Sequence, residues 1–585
     1  MPKNNMTIKI GGEAGQGLES SGAGFAQALA RGGLRIFCLA DYRSRIRGGH
    51  NFFQIRISEQ QLWTHNEPVH LLLALTKEAV EIHRDEIVPG GGVIYDEKLK
   101  VDTAALEERG VKPFPVPLVR IAEETGGDKV MANTAALGAM AGIVGYDLAP
   151  MISVIEDNFA KKGEAVVEGN RRVAQAARDF ARERYAAGFA WKLETIPGAP
   201  RRMVINGNQA FALGALLGGC KFVAGYPMTP GSPVLEWMSV NSARYGVVTK
   251  HAEDEIAAAC MCIGAAHAGV RAMTPTSGGG FSLMVESLGL AGITETPIVI
   301  YEAQRPGPAT GLPTRTDQGD LLFTIHASQG EFPRIVLTPA TIEQNFEAGW
   351  RALNLAEKYQ CPVIVLTDHF LVTSLRDLDP EALDFSAVTI DRGELLGDAD
   401  LDALEGEYIR FSPNEDGVSP RVIPGHPRGV FAVASDEQDK YGHIEEDAAN
   451  RKWRVESRMR KQEAAAEEMR PPLRYGPDEA EITLVGWGST YGPLREAVDL
   501  INAAGGSANL LQIVDAWPFP VGPVSEALAK AKTTIMVENN YTGQMAKLIR
   551  MATGHKVSGR ILKYDGRAFS PEYILEHIEE AKRHG

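Results

Sequence analysis

Three acids, Glu253, Asp254 and Glu255, stand directly ahead of the small-residue run IAAACMCIGAAHAG. Acids at a helix start often do no more than offset the helix dipole. Here the next turns are filled with Ala and Gly, which predicts a helix packed closely against a neighbour. A carboxylate entering such a dry interface has its pKa raised, and a protonated buried glutamate can donate a hydrogen bond to a reacting group. A second polar group comes from YPMTPGSPVLEW at 226–237. Its prolines fix φ and remove N–H donors. This rigid loop either joins two elements or holds the Thr229 hydroxyl in one place. TPTSGGGFSLMVESLG sets three glycines between a strand and a helix. QRPGPATGLPTRTDQGD is loop throughout and carries Arg305, Thr310, Thr314 and Arg315. A loop of this length inside a compact domain is more often functional than not.

A different chemistry is suggested near the N-terminus. GGEAGQG follows a strand and opens a helix, so backbone N–H groups beside a positive helix end offer a phosphate site. Gly12, Gly15 and Gly17 depart from the dinucleotide fingerprint. Leu18 and Glu19 stand where a Walker loop has Lys and Ser/Thr. The stretch therefore also reads as a plain tight turn. Arg43, Arg45 and Arg47 precede a Gly-Gly pair. They fork onto phosphates, or form an exposed basic strand edge.

The elements that must position these groups alternate strand and helix along the chain, the signature of α/β architecture. MTIKI, LRIFCLADY, VHLLLAL, GGVIYD and VKPFPVPL are strands of a first domain, closed by the helical GNRRVAQAARDFARERYAAGFAW. Gly198-Ala199-Pro200 marks a linker. KFVAGY, GVRAMTPT, PIVIYEA, RIVLTP and PVIVLTD read as buried parallel strands of a second domain. Open α/β sheets place ligands beyond the C-terminal ends of such strands. A charged run over about 440–470 reads as a solvated connecting helix. ITLVGWG, ANLLQIV and TTIMVEN build a small third α/β domain. The expected boundaries are 1–195, 200–440, 441–474 and 475–585.

The totals narrow the function. At 585 residues, with 44% hydrophobic and 23% charged content, the chain is an ordinary globular protein of several domains. A net charge of −15 argues against broad nucleic-acid binding. The N-terminus has no signal-peptide core and no run of 18 apolar residues spans a membrane. Five scattered cysteines (Cys38, Cys220, Cys260, Cys262 and Cys361) suggest a reducing cytoplasm. They lack the spacing of a cluster or zinc site, so they read as buried apolar thiols and no metal site is expected.

Gly207-Asn208-x-Ala210, YPMTPGS, EDEIAAA, TPTSGGG and QRPGPATGLPTRTDQGD follow in an order that resembles the α subunit of the 2-oxoacid:ferredoxin oxidoreductases. GGEAGQG…YRSRIRGG resembles that family's γ domain, fused ahead of α. The third domain resembles its transketolase C-terminal-like domain. The resemblance implies a γ-type coenzyme A domain, a thiamine-diphosphate pyrimidine-binding domain and the C-terminal-like domain, all with parallel sheets. It implies oxidative decarboxylation of a 2-oxoacid with coenzyme A, ferredoxin being reduced, in a reaction that also runs in reverse. Glu255 matches the glutamate that hydrogen-bonds the aminopyrimidine nitrogen and so activates the cofactor. Thr229 matches a threonine on the substrate carboxylate or carbonyl, and Arg305 an arginine on the carboxylate. Thr310 and Thr314 fall on substrate-pocket positions, and Asp439 lies in a segment that resembles one near the substrate. Arg315 is a candidate cation for a second, distal carboxylate, or else a salt-bridge partner of Asp317 or Asp320. Gly12, Gly15, Gln16, Gly17 and Arg47 are the expected coenzyme contacts. A Gly-Asp-Gly…Asn diphosphate site and cluster cysteines are missing from the chain. The resemblance therefore places Mg2+ and a 4Fe-4S cluster on a separate β subunit, in an (αβ)2 assembly. The expected substrate is 2-oxoglutarate, giving succinyl-CoA, with pyruvate or a broad 2-oxoacid range as the alternative, and a non-catalytic scaffold that binds coenzyme A or a partner chain as the alternative of another class.

Overall fold

A computed structural model describes residues 3–44 and 48–583. The chain forms two compact units. The first is Met1–Ile205 with Thr373–Leu383, and the second is Asn206–Val372 with Asp384–Gly585. Both are α/β, as expected.

The first unit holds an eight-stranded sheet. From one edge the order is Lys112–Val116, Ile87–Asp96, Val69–Ala74, Met6–Glu13, His50–Ser58, Arg35–Asp41, Leu375–Leu378 and Met203–Ile205. The first four strands are parallel. From Met6–Glu13 onward the neighbours run antiparallel. The sheet is thus mixed rather than purely parallel. The reason is that His50–Ser58 lies between Met6–Glu13 and Arg35–Asp41 and pairs antiparallel with both. Thr373–Leu383 joins this unit although it lies far along the stretch expected to form the second domain. Charge secures it: Arg35 donates to Asp377 at 3.0 Å and Asp379 at 2.8 Å, and Arg202 donates to Asp379 at 3.0 Å. Helices Ala132–Val144 and Glu164–Tyr185 lie so close that a β-carbon at Gly138 would sit 2.4 Å from Ala174 O. Only glycine fits that approach.

The second unit holds two sheets. The larger runs Asp515–Trp517, Ile335–Leu337, Val363–Asp368, Val299–Gln304, Ala272–Thr276, Phe222–Gly225 and Val248–His251. All its neighbours are parallel except Asp515–Trp517 against Ile335–Leu337. The smaller runs Leu473–Tyr475, Ala508–Ile513, Ile482–Trp487, Thr533–Glu538 and Gly559–Leu562. Phe222–Gly225, Ala272–Thr276 and Val299–Gln304 are adjacent strands. The loops that follow them therefore emerge side by side at the carboxyl edge, where ligands bind in open α/β sheets.

The charged run is a helix, Ala448–Ala466, but only one of its faces is solvated. Arg454, Arg458 and Lys461 are all buried. Arg454 donates to Glu295 at 2.7 Å, and Lys461 also donates to Glu295. Arg458 forks onto Glu437 with two 2.8 Å bonds. Buried carboxylates recruit these cations inward, and charge counting along the sequence cannot see that. No helix among the described residues is long and apolar enough to cross a membrane.

Candidate active site

Glycines mark where the loops of the site meet. The 226–231 loop lies on the strand Ala272–Thr276, since a β-carbon at Gly231 would meet Thr276 O at 2.5 Å. The 305–320 loop lies over the glycine triplet, with Ala309 O 3.7 Å from the β-carbon position of Gly279 and Met228 Sδ 3.9 Å from it. Its turn is closed by Leu312 N donating to Pro306 O at 3.0 Å. Three loops separated in sequence thus meet at one place.

The three acids divide their labour. Glu253 is exposed. Asp254 is the N-cap of the helix Glu255–His267, accepting from Ala257 N at 2.7 Å, which is the ordinary duty of an acid at a helix start. Glu255 is different. It is 3% exposed, and its Oε1 is buried with no hydrogen-bond partner among the described residues. It packs on the triplet: a β-carbon at Gly280 would lie 2.7 Å from Glu255 Oε1 and 2.2 Å from Thr276 Oγ1. Burial raises the Glu255 pKa and the charge of Asp254 adds to this, while Arg305 opposes it. The expected small-residue packing is present on one face of this helix, through Ala258, Ala259 and Ala266.

Arg305 stands at the end of Val299–Gln304 and donates through Nη1 to Thr229 O at 2.7 Å. Its Nε is buried without a partner. Burial lowers its pKa, opposed by Glu255. The Thr229 side chain is half-buried and its hydroxyl makes no hydrogen bond among the described residues. Glu255, Arg305 and Thr229 therefore form one group: a buried carboxyl, a cation and a fixed hydroxyl, each with an uncommitted polar atom.

The other expected pocket residues divide. Thr310 is exposed on the loop near the triplet, and Thr314 is buried. Arg315 donates to Thr314 O at 3.1 Å and its stem lies beside Gly566. Its charge also helps to push buried His369 down to about 3, after burial itself. Asp439 makes its hydrogen bonds within its own segment. Its Oδ1 accepts from Tyr441 N and His443 N at 2.8 and 2.9 Å, so it closes its own turn.

One acid near the site was passed over in the sequence. Glu302 lies in PIVIYEA and is fully buried. Its Oε2 accepts from Thr324 Oγ1 at 3.0 Å, and burial followed by the charge of Asp320 raises its pKa well above the usual carboxylate range. Asp320 rises to about 6 through burial, and its Oδ2 lies 2.3 Å from the β-carbon position of Gly278. Asp317 rises to about 7 through burial and then Asp320. The available signal was an acid inside an otherwise apolar strand.

In the first unit, Gly11 and Gly12 are not in the turn but in the strand Met6–Glu13, which runs three residues further than expected. The turn proper has Gly15 at φ 90° and Gly17 at φ 72°, a backbone that suits only glycine. Gly17 precedes the helix Leu18–Arg31, whose N-terminus has no side-chain cap. Gln16 folds back, accepting from Glu13 N at 2.8 Å and filling the space a β-carbon at Gly12 would need. Arg45 and Arg47 lie outside the described residues.

A buried unpaired glutamate on the glycine loops of a parallel sheet is the arrangement of an α/β enzyme site, and the family comparisons give its class as thiamine-diphosphate-binding. Residues 213–461 match the family "Pyruvate flavodoxin/ferredoxin oxidoreductase, thiamine diP-bdg". Residues 7–180 match "Pyruvate ferredoxin/flavodoxin oxidoreductase", and 480–574 match "Pyruvate:ferredoxin oxidoreductase core domain II". The chain is 34% identical to the 2-oxoacid:ferredoxin oxidoreductase subunit alpha of a Sulfolobus species, over 98% of this chain and 95% of the relative. It is 30% identical to the 2-oxoglutarate oxidoreductase subunit KorA of Mycobacterium tuberculosis, over 93% of this chain and 87% of the relative. Its fold is similar to the 2-oxoglutarate:ferredoxin oxidoreductase of Magnetococcus marinus, solved with 2-oxoglutarate, coenzyme A and succinyl-CoA bound. The TM-score is 0.90 and the identity 32%, covering 99% of this chain and 100% of that one. The chain belongs to the 2-oxoacid:ferredoxin oxidoreductase family, as an α-type subunit. The family expected from its motifs is thus borne out.

Proposed function

We propose that this chain is the fused γ–α subunit of an enzyme converting 2-oxoglutarate and coenzyme A to succinyl-CoA and carbon dioxide, with ferredoxin reduced. The observation that carries the reading is Glu255, a buried carboxyl with one oxygen unpaired. Its raised pKa suits it to hold a proton. That geometry fits the pyrimidine ring of thiamine diphosphate, with Glu255 as hydrogen-bond donor to a ring nitrogen. When bound, the cofactor supplies the carbanion chemistry that decarboxylation of a 2-oxoacid needs.

The remaining roles belong to the chain's own residues. The Arg305 guanidinium, anchored on Thr229 O, presents its other N–H groups to the substrate carboxylate. The Thr229 hydroxyl offers a fixed donor beside it, and a group held in advance lowers the cost of positioning. Thr310 and Thr314 line the approach. The full-length likeness to a 2-oxoglutarate enzyme and to KorA supports 2-oxoglutarate over pyruvate. The γ-type unit holds coenzyme A at the turn Gly15–Gly17. A β subunit supplies Mg2+, the diphosphate site and the 4Fe-4S cluster in an (αβ)2 complex of the cytoplasm.

The test is anaerobic, coenzyme A-dependent reduction of a viologen dye by the native complex, with 2-oxoglutarate and pyruvate side by side. Preference for 2-oxoglutarate is the expected result. Preference for pyruvate overturns the substrate and keeps the chemistry. No reduction with any 2-oxoacid, from a complex retaining its cofactors, overturns the catalytic reading.

A further inference from the structure

Beside the glycine turn of the first unit lies a chain of polar groups that the reaction above does not use: His50, His83 and Lys9, all buried, and Glu86 at the surface. His50 opens the strand His50–Ser58, opposite Glu13 at the foot of the turn. Its Nε2 is 2.7 Å from His83 Nε2. His83 Nδ1 is 2.9 Å from Glu86 Oε1. Glu86 Oε2 is paired with Lys9. Gly11 admits the two rings, since a β-carbon there would lie 3.3 Å from His50 Cε1 and 3.5 Å from His83 Cδ2. Phe52 covers the chain, its ring 4.2 Å from Lys9 Nζ and edge-on to His83.

The protons along this chain follow from its ends. Lys9 and the neighbouring His83 hold Glu86 below the usual carboxylate range against the effect of burial, so Glu86 is an acceptor only. His83 must then carry its proton on Nδ1. Lys9 already balances Glu86, so the arrangement without excess charge has one proton on each imidazole. His83 Nε2 is a lone pair, and His50 donates to it from Nε2. That leaves His50 Nδ1 as an acceptor. His50 is 7% exposed, and Nδ1 is buried with no partner among the described residues. Burial, then His83, Arg43 and Lys9, push His50 down to about 4, consistent with a neutral ring. An unpaired buried acceptor is costly unless something donates to it.

We propose that the phosphorylated coenzyme held at the Gly15–Gly17 turn donates a hydrogen bond from a hydroxyl or amide N–H to His50 Nδ1. His83, Glu86 and Lys9 are positioning residues that keep this nitrogen an acceptor. Ala14 N donates to Gly49 O at 3.3 Å, which ties His50 to the turn. The uncapped helix end and Arg43, whose stem lies 3.0 Å from the β-carbon position of Gly49, suit the phosphates. The thiol is the far end of such a coenzyme, so the donor lies in the phosphate-linked part. The inference rests on the reading that this unit binds coenzyme A.

Two substitutions in the assembled complex separate the outcomes. Asn places its terminal atoms where Nδ1 lies, and Gln places its own where Nε2 lies. Affinity for coenzyme A and for desulfo-coenzyme A is measured by titration calorimetry, with hydrogen exchange of residues 11–21 as a footprint. His50→Gln should weaken both ligands about tenfold, and His50→Asn should stay within about threefold of the native complex. Unchanged affinity in His50→Gln, with the footprint present in the native complex, overturns the inference and leaves the coenzyme reading standing. Equal weakening by both substitutions makes the role structural and overturns it too. Weakening for coenzyme A alone identifies the thiol as donor and overturns the assignment to the phosphate-linked part. No footprint at 11–21 in the native complex overturns the coenzyme reading and the inference with it.

Discussion

Glu255 and Glu295 are both buried glutamates in the second unit, and the protein treats them in opposite ways. Glu295 meets Lys461 and Arg454, with Arg410 bonded to its carbonyl oxygen at 3.1 Å. Burial alone would raise its pKa, but Lys461, then Arg454 and Arg410, hold it down to about 2. Glu255 has no such company, and burial raises it. Satisfied charge makes Glu295 a clamp between the helix Ala448–Ala466 and the rest of the unit. Unsatisfied polarity leaves Glu255 ready for a ligand. A structural carboxylate brings its partners with it, whereas a catalytic one keeps a place open.

The contrast can be broken at several points. The largest effect is expected for Glu295→Ala, which leaves Lys461 and Arg454 buried and unpaired. The loss should be about 3–5 kcal/mol, read by chemical denaturation of the complex. The clamp also fixes a pH dependence. A depressed carboxylate pKa contributes stability above its unfolded value, and that contribution fades as pH falls from the ordinary glutamate range towards about 2. Glu255 has the opposite sign. Its raised pKa favours the folded state at low pH and loses that contribution as pH rises through the folded value. Glu255→Gln should therefore raise the melting temperature at pH 8 more than at pH 5 while abolishing turnover.

Gly280→Ala is the next test. Its β-carbon would overlap Thr276 Oγ1 and the Glu255 side chain. The strain should cost about 1–3 kcal/mol and lower kcat by displacing Glu255. Arg305→Lys, which loses the fork but keeps the charge, should raise KM for the 2-oxoacid about tenfold, measured from initial rates at saturating coenzyme A. The smallest effect belongs to the neighbouring acid. Asp254→Ala removes a helix cap worth about 1 kcal/mol and should leave Glu255 chemistry largely intact.

Much of this site was legible in the sequence because short loops carry it. YPMTPGS, EDEIAAA, TPTSGGG and the 304–320 loop each announce themselves by proline, glycine or acid. Strand adjacency then brings them together. Glu302 was legible only as an acid inside the apolar strand PIVIYEA, which does not say what the carboxyl meets there. The inward turn of Arg454, Arg458 and Lys461 was hidden for a related reason: their partners Glu295 and Glu437 lie far off in sequence or on another element. In the first unit, the five-residue match MTIKI ended before Gly11 and Gly12, because glycines read as a turn although here the sheet continues through them.

The most direct test of the account is turnover of the assembled complex carrying Glu255→Ala, assayed anaerobically with 2-oxoglutarate, coenzyme A and a viologen acceptor. Subunit composition and bound thiamine diphosphate are measured on the same sample. The account predicts an intact complex whose rate falls by a factor of about 100 or more. An intact complex turning over at a near-native rate would contradict it.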